Sequence, residues 1–196
     1  MFSGIIEEKG VVQKVEKKEN LFVMTVKAKK VLAGTKIGDS ISVNGVCLTV
    51  TQKSGRSVTF DLMKETLDAT TLKYAQSDKS INLERALKVN ARLGGHFVSG
   101  HVDGVGKLVK IVNIPNYVEW QIAIDKSLAK YLAPKGSVAI DGVSLTIGWV
   151  KKNLFSIYLI PHTLQVTTFG EKRVGDSLNI ETDLLAKYIL QNRFTK

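Results

Sequence analysis

The chain repeats one sequence pattern at an offset of 97 residues, from 44 to 141, and this duplication limits the folds that it can adopt. Three blocks match in the same order: 44–50 with 141–147, 63–72 with 160–169, and 81–84 with 178–181. Near the start the offset is 96, because Ser3-Gly4 matches Ser99-Gly100. A period this long exceeds the roughly 20–50 residues of a solenoid unit. The repeat therefore predicts two similar domains in tandem.

The matched blocks divide the 196 residues into three parts. We expect an N-terminal barrel at 1–93, a C-terminal barrel at 94–184 and a C-terminal oligomerisation helix at 185–196. The linker between the barrels is assigned to 88–95, where Gly94-Gly95 gives the backbone conformational freedom. The copies are not separated by a Pro-rich or Ser-rich spacer, so we expect the two domains to lie close together.

Each copy has the residue pattern of a small β domain. Segments 21–26 and 57–62 are rich in β-branched and aromatic residues, and apolar and polar residues alternate over 118–124. About six short strands per copy, separated by Gly or Asn/Asp turns, predict a mainly β chain of two tandem, pseudo-symmetric six-stranded Greek-key barrels. Short helices are expected at 65–72, 127–132 and 163–169.

The segment after the second copy, 184–190, has no counterpart in the first copy. Leu184, Leu185, Tyr188 and Ile189 share one face of a helix. An unmatched apolar helix at this place predicts a contact between subunits. The alternative is that the helix covers its own barrel.

The charge and the cysteine content exclude several classes of protein. There are 28 Lys+Arg against 18 Asp+Glu, a net charge of +10, but the bases are scattered and a small anionic or polar ligand is favoured over nucleic acid. The single cysteine, Cys47, forms no intramolecular disulfide and no Cys/His metal cluster.

The N-terminus does not resemble a signal peptide, and no stretch reaches the ~20 apolar residues of a membrane span. We therefore expect a cytoplasmic protein without membrane contact.

A duplicated barrel predicts duplicated sites, which an enzyme that joins two copies of one substrate requires. Matched hydroxyls, Thr49 with Thr146 and Thr66 with Thr163, are expected to contact the ligand, although threonine also packs well in strands. Positions that differ between the copies are expected to divide the chemical roles. These pairs are Cys47 and Ser144, Asn44 and Asp141, Glu65 and His162, Ile5 and His101, and Ala86 and Asp183.

Cys47 and two of the histidines are candidate reactive groups. Cys47 acts as a nucleophile or proton donor if its pKa is lowered, and the alternative is a small apolar residue of the core. His96 and His101 are five residues apart, so an unbroken strand would point them to opposite faces and disfavour a metal pair. A bulge at Gly100 would remove that argument.

Five segments, taken in chain order, resemble the riboflavin synthase alpha chain family. They are 1–6 (MFSGII), 44–50 (NGVCLTV), 61–67 (DLMKETL), 94–104 (GGHFVSGHVDG) and 140–146 (IDGVSLT). The resemblance covers nearly the whole chain and includes the duplication.

The resemblance implies riboflavin synthase activity, the last step of riboflavin biosynthesis. Two molecules of 6,7-dimethyl-8-ribityllumazine dismutate by transfer of a four-carbon unit, which gives riboflavin and 5-amino-6-(ribitylamino)uracil and makes the enzyme a transferase. The resemblance further implies that each barrel binds one lumazine and that no cofactor or metal is required. The implied assembly is a homotrimer held by C-terminal helices, with each active site shared between barrels of two neighbouring subunits. Lumazine synthase is a further expected partner.

Family site residues carry over to the matching positions of this sequence. The first pocket is expected to contain Gly4, Ile5, Ile6, Cys47, Leu48, Thr49, Asp61, Leu62, Met63, Lys64, Glu65 and Thr66. The second pocket is expected to contain Gly100, His101, Val102, Lys135, Ser144, Leu145, Thr146, Tyr158, Leu159, Ile160, Pro161, His162 and Thr163. The resemblance implies catalytic roles for Cys47, Ser40, His101, Asp141 and Asp183.

Two other functions are compatible with a pair of small barrels. A lumazine- or flavin-binding antenna protein would bind its ligand tightly without turnover. The presence of Cys47, His101, Asp141 and Asp183 argues against that alternative. An oligonucleotide-binding barrel would show a steep salt dependence on single strands, and the scattered basic residues disfavour it.

Overall fold

The fold consists of twelve β-strands in two closed barrels, seen in a computed structural model that describes residues 1–191. The first barrel contains β1 (Glu8–Lys18), β2 (Leu21–Lys27), β3 (Ser40–Val43), β4 (Val46–Lys53), β5 (Ser57–Met63) and β6 (Ser80–Arg85). The second contains β7 (Gly104–Ile114), β8 (Tyr117–Ala123), β9 (Ser137–Ile140), β10 (Val143–Lys151), β11 (Leu154–Leu159) and β12 (Ser177–Thr182). The predicted mainly β fold with two six-stranded barrels is confirmed.

Both barrels connect their strands along the same path. The order around the first barrel is β1-β2-β5-β4-β3-β6, and around the second it is β7-β8-β11-β10-β9-β12. All neighbouring strands are antiparallel. Since β2 and β3 follow one another in sequence but are not neighbours, the chain crosses from one hairpin to the next in the manner of a Greek key.

Each barrel contains a hairpin with a two-residue turn, Asn44-Gly45 in the first and Asp141-Gly142 in the second. Both residues of each turn have positive φ, 46° and 82° in the first barrel and 44° and 82° in the second. Asn-Gly and Asp-Gly are the sequences that this type I′ geometry favours. The turns pack against one another, and a Cβ on Gly45 would lie 2.7 Å from the amide nitrogen of Gly142. Only glycine fits there, so the two turns set how closely the barrels approach.

The barrels enclose separate hydrophobic cores, because side chains that alternate along each strand point inward. A third and smaller apolar cluster lies between the barrels. It contains Phe2, Val98 and Ala139, and the partly buried Cys47 packs against it. The N-terminus of the chain is therefore part of the contact between the barrels.

Two buried asparagines link the barrels in equivalent ways. Asn82 donates to the carbonyl oxygen of Asp141 at 3.0 Å and accepts from the backbone of Thr168 at 2.8 Å. Asn179 donates to the carbonyl oxygen of Asn44 at 2.8 Å. Because each asparagine lies in the same place of its own copy, the two barrels face each other about a pseudo-twofold axis.

The helices are short and lie outside the barrels. They are α1 (Lys64–Ala69), α2 (Lys126–Ala129), α3 (Pro161–Val166) and α4 (Leu184–Gln191), and 3-10 turns follow α1 and α3 at Thr71–Tyr74 and Thr168–Glu171. The helices predicted at 65–72 and 163–169 are thus each divided in two. Within the described residues, no helix is long and apolar enough to cross a membrane. Residues 192–196 of the predicted terminal helix lie outside the described residues.

Candidate functional site

A gap opens in the wall of the first barrel between β4 and β5. The hydrogen-bonded ladder between these strands runs from the Lys53–Val58 pair to the Val50–Phe60 pair. Beyond that pair the ladder ends, so residues 47–49 of β4 and 61–63 of β5 face each other across an opening, and α1 begins at its edge. The backbone groups on the two sides of this opening are therefore not paired with each other in a ladder.

The second barrel has the same gap at the equivalent place. The ladder between β10 and β11 runs from the Lys151–Leu154 pair to the Ile147–Ile157 pair and ends there. Residues 144–146 and 158–159 lie beyond it, and α3 begins at the edge. The duplication of sequence therefore produces a duplicated opening.

The first gap is closed by a segment that belongs to the second copy. The backbone N–H of Cys47 donates to the carbonyl oxygen of Gly100 at 2.8 Å, and Val102 packs against the core of the first barrel. Gly100 has a φ of 82°, and a Cβ there would lie 2.6 Å from the Cβ of Cys47, so this approach requires glycine. The exposed His101 follows Gly100 directly, so the backbone places it beside the same gap.

The second gap is closed in the same way by the start of the chain. The backbone N–H of Ser144 donates to the carbonyl oxygen of Gly4 at 2.8 Å, and Ile6 packs against the core of the second barrel. We call residues 1–6 and 97–102 the first and second crossing segments. They meet each other in a two-residue antiparallel bridge between Phe2 and Val98.

A buried carboxylate holds each crossing segment. Glu84 on β6 accepts hydrogen bonds from the N–H and hydroxyl of Ser3, both at 2.8 Å, and from the N–H of Gly4 at 3.0 Å. Glu181 on β12 accepts the equivalent bonds from Ser99 at 2.6 and 2.7 Å, and from the next amide at 3.0 Å. Burial raises the pKa of both carboxyl groups above the ordinary value, and these hydrogen bonds oppose the rise.

Comparison with known proteins identifies the family. The lumazine binding domain matches the chain twice, at residues 3–86 and 99–183. Riboflavin synthase of Bacillus subtilis (strain 168) is 46% identical over 189 residues, which cover 96% of this chain and 88% of that protein. The chain belongs to the riboflavin synthase family.

This riboflavin synthase family member is also similar to a second riboflavin synthase and to two solved structures. Riboflavin synthase of Actinobacillus pleuropneumoniae is 44% identical over 191 residues, which cover 97% of this chain and 89% of that protein. Among solved structures, LumP complexed with 6,7-dimethyl-8-(1'-D-ribityl) lumazine has a TM-score of 0.83, and LumP complexed with riboflavin has 0.86. Both are 26% identical and cover 93% of this chain and 99% of theirs.

The structure changes how the expected riboflavin synthase site residues are grouped, because each gap combines residues from both copies of the repeat. Sequence order placed Gly4 with Cys47, but Gly4 contacts Ser144 and Gly100 contacts Cys47, so the crossing segments exchange places. The first gap gathers Cys47, Leu48, Thr49, Asp61, Leu62, Met63, Lys64, Glu65, Thr66, Gly100, His101 and Val102. The second gathers Gly4, Ile5, Ile6, Ser144, Leu145, Thr146, Tyr158, Leu159, Ile160, Pro161, His162 and Thr163. Ligand contact by these residues stays a prediction.

Lys135 lies beside the second gap through its backbone. Its N–H donates to the carbonyl oxygen of Ile147, the last paired residue of β10 before the opening, at 2.9 Å. Lys135 also has a φ of 69°, in the left-handed region. The backbone thus brings Lys135 next to the strand that lines the opening.

The side chains around the two gaps differ although the backbones match. Beside the first gap, the hydroxyl of Thr51 donates to the carboxylate of Asp61 at 3.3 Å. The equivalent positions in the second barrel are Gly148 and Tyr158, and a Cβ on Gly148 would lie 2.5 Å from the Tyr158 ring. The ring of Tyr117 meets that of Tyr158 edge-on, with centroids 5.8 Å apart. One gap therefore presents a carboxylate and the other an aromatic surface.

His96 and His101 do not lie on one strand, so the argument that an unbroken strand separates them does not apply. The segment between them makes a single bridge at Val98 and turns at Gly100. His96 Nδ1 lies 2.7 Å from the hydroxyl oxygen of Ser144, and its Nε2 is buried without a hydrogen-bond partner among the described residues. Burial lowers the pKa of His96, and the charge of Asp183 opposes this. His96 therefore belongs to the second gap and His101 to the first.

The predicted catalytic residues are spread over several places. Ser40 lies in a cleft of about 690 Å³ that is also lined by Ser3 and Ile5 of the first crossing segment. Asp183 accepts a hydrogen bond from the N–H of Leu185 at 2.9 Å, so it begins α4 and influences His96 through its charge. A catalytic role for each of these residues stays a prediction.

Asp141 lies in the contact between the barrels and not at an opening. It is fully buried; one carboxylate oxygen accepts from the N–H of Asn179 at 2.8 Å, and the other lies 2.9 Å from the ammonium of Lys172. Asn44, at the equivalent place, accepts the equivalent bond from Asn82 at 2.7 Å. These contacts give Asp141 a clear structural part in holding the barrels together.

Several important residues carried no individual signal in the sequence. Glu84 and Glu181 match across the repeat, but the match alone does not reveal which amides they bind. Gly95 was expected to give the linker backbone conformational freedom. A Cβ there would lie 2.1 Å from the carbonyl oxygen of Ser3, so the lack of space is what requires glycine.

Within residues 1–191, no group of three or more His, Cys, Asp or Glu residues is arranged to hold a metal ion.

Proposed function

We propose that the chain is a riboflavin synthase that dismutates two molecules of 6,7-dimethyl-8-ribityllumazine. One molecule donates a four-carbon unit to the other, which gives riboflavin and 5-amino-6-(ribitylamino)uracil. The observation that carries the proposal is the pair of gaps with the same backbone and different side chains. Such a pair binds two identical molecules and gives each a different chemical environment.

The residues at the gaps fit the requirements of this reaction. The 7-methyl group of the lumazine is acidic because its carbanion delocalises into the ring, and a base or a bound water removes the proton. At the first gap the N–H of Cys47 binds Gly100, the residue directly before His101, and at the second Ser144 lies against His96. A histidine near neutral pH takes and returns protons, and a thiol assists addition to the ring. Holding two flat rings in register contributes further, since orientation is worth roughly 7–11 kcal/mol.

The proposal includes a homotrimer in which a gap of one subunit faces a gap of its neighbour. Met63 and Ile160 directly precede α1 and α3 at the two gaps and are 58% and 57% exposed, so each opening has an exposed apolar residue at its edge. Leu185, Tyr188 and Ile189 of α4 are all more than half exposed. Both features favour burial against a second copy of the chain.

Cytoplasmic location and association with lumazine synthase stay predictions.

The test is incubation of the purified chain with 6,7-dimethyl-8-ribityllumazine alone. We expect the absorption and fluorescence of riboflavin to appear, with one riboflavin formed for every two lumazines consumed. The solved structures of LumP with lumazine and with riboflavin suggest the second candidate, a binding protein without turnover. Saturable binding of the lumazine without riboflavin formation would support that candidate and contradict the proposal.

A further inference from the structure

We propose that Glu181 and Glu84 are positioning residues, Glu181 for the first gap and Glu84 for the second. Each carboxylate belongs to one barrel and holds a crossing segment against the opening of the other. In this role, which rests on the proposed function, the two residues shape the sites that hold the two substrates. Glu84 also lines the cleft that contains Ser40, but neither carboxylate is among the residues of the two gaps, so each acts on its gap through the segment that it binds.

The contacts of Glu181 lead directly to the first gap. One of its oxygens accepts from the N–H and hydroxyl of Ser99, and the other accepts from the N–H of Gly100. The Ser99 hydroxyl in turn accepts from the N–H of His101 at 3.1 Å. Gly100 then accepts from the N–H of Cys47. One carboxylate therefore sets the backbone that joins His101 to Cys47.

Glu84 makes the equivalent contacts toward the second gap. It binds the N–H and hydroxyl of Ser3 and the N–H of Gly4, and Gly4 accepts from the N–H of Ser144. Both carboxylates are 3% exposed. A buried carboxylate that accepts three bonds is a strong anchor, because its donors would otherwise be left unpaired away from water.

An amide cannot replace either carboxylate fully. In a glutamine side chain one oxygen becomes an NH₂ group, which would face the N–H of Gly100 or Gly4 donor to donor. The substitution Glu181→Gln therefore loosens the second crossing segment, and Glu84→Gln loosens the first. The two variants are matched, because the residues and their contacts are equivalent.

The single cysteine makes the two effects separable. Cys47 lies under the second crossing segment, and the first crossing segment covers Ser144. Cys47 binds the second segment directly through Gly100 and touches the first only through the apolar cluster at Phe2, so its reaction with a chromogenic disulfide reagent reports chiefly on the second segment. The thiolate attacks the reagent disulfide, forms a mixed disulfide and releases one equivalent of coloured thiolate.

We expect Glu181→Gln to increase the rate of Cys47 labelling about tenfold or more and Glu84→Gln to leave it within about twofold of wild type. Circular dichroism must show that both variants remain folded. If Glu181→Gln fails to fold, Ser99→Ala and Ser3→Ala form a second matched pair that removes one hydroxyl donor each. Ser99→Ala is then expected to accelerate labelling by a smaller factor, about threefold, and Ser3→Ala to have no effect.

A positioning role also predicts a specific change in kinetics. In the folded Glu181→Gln variant we expect kcat to fall, since the backbone that places His101 beside the strand of Cys47 is no longer held. A change in thermal stability alone would not lower kcat. Unchanged Cys47 labelling in Glu181→Gln and Ser99→Ala, or equal acceleration by both glutamine variants, would overturn the inference. Because labelling needs no turnover, this outcome is distinct from a failure of the proposed reaction.

Discussion

The amide of Cys47 donates to the carbonyl of Gly100 at 2.8 Å, and this bond joins a strand of the first barrel to a segment of the second copy. The equivalent bond joins Ser144 to Gly4 at 2.8 Å. Each opening therefore depends on both halves of the chain. The candidate reactive groups of the first gap come together only because the crossing segments exchange places.

The substitution Cys47→Ser tests the chemical role of the thiol. Serine occupies the equivalent place in the second barrel, so the variant is expected to fold and to bind riboflavin within about twofold of wild type. We expect kcat to fall about tenfold, because a hydroxyl is much less acidic than a thiol. Steady-state kinetics and a riboflavin fluorescence titration check this. An unchanged kcat would leave Cys47 as a packing residue of the cluster between the barrels.

His96 is expected to make stability depend on pH. Burial lowers the pKa of His96 and Asp183 opposes the shift, so below pH ~6.5 the folded chain binds fewer protons than the unfolded chain at this residue. The free energy of unfolding that His96 contributes therefore falls as the pH drops through that value.

The measurement is the thermal midpoint of wild type, His96→Asn and His101→Asn at pH 7.5 and 5.5. We expect the midpoint of wild type and His101→Asn to fall further on acidification than that of His96→Asn. Glu84 and Glu181 have raised pKa values and contribute the opposite slope, but they are common to all three proteins. An equal response of all three proteins would show that burial of His96 does not govern the slope.

The contact between the two hairpin turns predicts a large cost for a single methyl group. Gly45 and Gly34 both have positive φ, 82° and 78°, so alanine strains the backbone at either place. A Cβ on Gly45 would also collide with Gly142, whereas nothing lies within 4 Å of a Cβ on Gly34. We expect Gly34→Ala to cost about 1–2 kcal/mol and Gly45→Ala clearly more, measured by denaturant unfolding. Equal costs would mean that the turns separate easily.

Asp141 is expected to tolerate asparagine but not alanine. Asn44 accepts the equivalent bond from a backbone amide in the first barrel, so Asp141→Asn preserves this bond, and Lys172 keeps the bond that it donates to the carbonyl oxygen of Ser177. Asp141→Ala leaves the buried N–H of Asn179 unpaired, which costs about 1–3 kcal/mol. Denaturant midpoints of the two variants check the order. A loss of activity in folded Asp141→Asn would instead support the catalytic role that the family resemblance implied.

The exposed apolar face of α4 predicts dependence of the assembly on this helix. We expect the double variant Leu185→Lys, Ile189→Lys to have the mass of a monomer in light scattering. The matched control is Ile37→Lys, at an equally apolar residue that is 68% exposed elsewhere on the surface. The control is expected to keep the mass of wild type. An assembly that survives the double variant would place the subunit contact outside α4.

Much of the fold was predictable because its signals are local. The Asn-Gly and Asp-Gly turns, the alternating strands and the repeat offset together specify two similar barrels. The 3-10 turns were harder to predict, but the matched Thr70 and Thr167 explain them, because each hydroxyl caps the turn that follows. A local sequence pattern is enough wherever the interacting groups lie a few residues apart.

The grouping of the site was not predictable in the same way. Gly4 and Cys47 belong to one copy, but the contacts of Gly4 lie with Ser144, 140 residues further along the chain. A repeat shows which positions are equivalent and not which copy a segment packs against. The role of Glu84 and Glu181 was not predictable for the same reason, since two of the three donors to each are backbone amides, which any residue supplies.

The exchanged crossing segments also limit how the two halves of the chain can diverge. Gly100 must remain small for the sake of Cys47, and Gly4 for the sake of Ser144. Whether a substitution at one of these positions is tolerated therefore depends on the other half of the sequence. A chimera that joins the first half of one family member to the second half of another would have to match at both contacts, so the duplicated halves are expected to evolve as a pair.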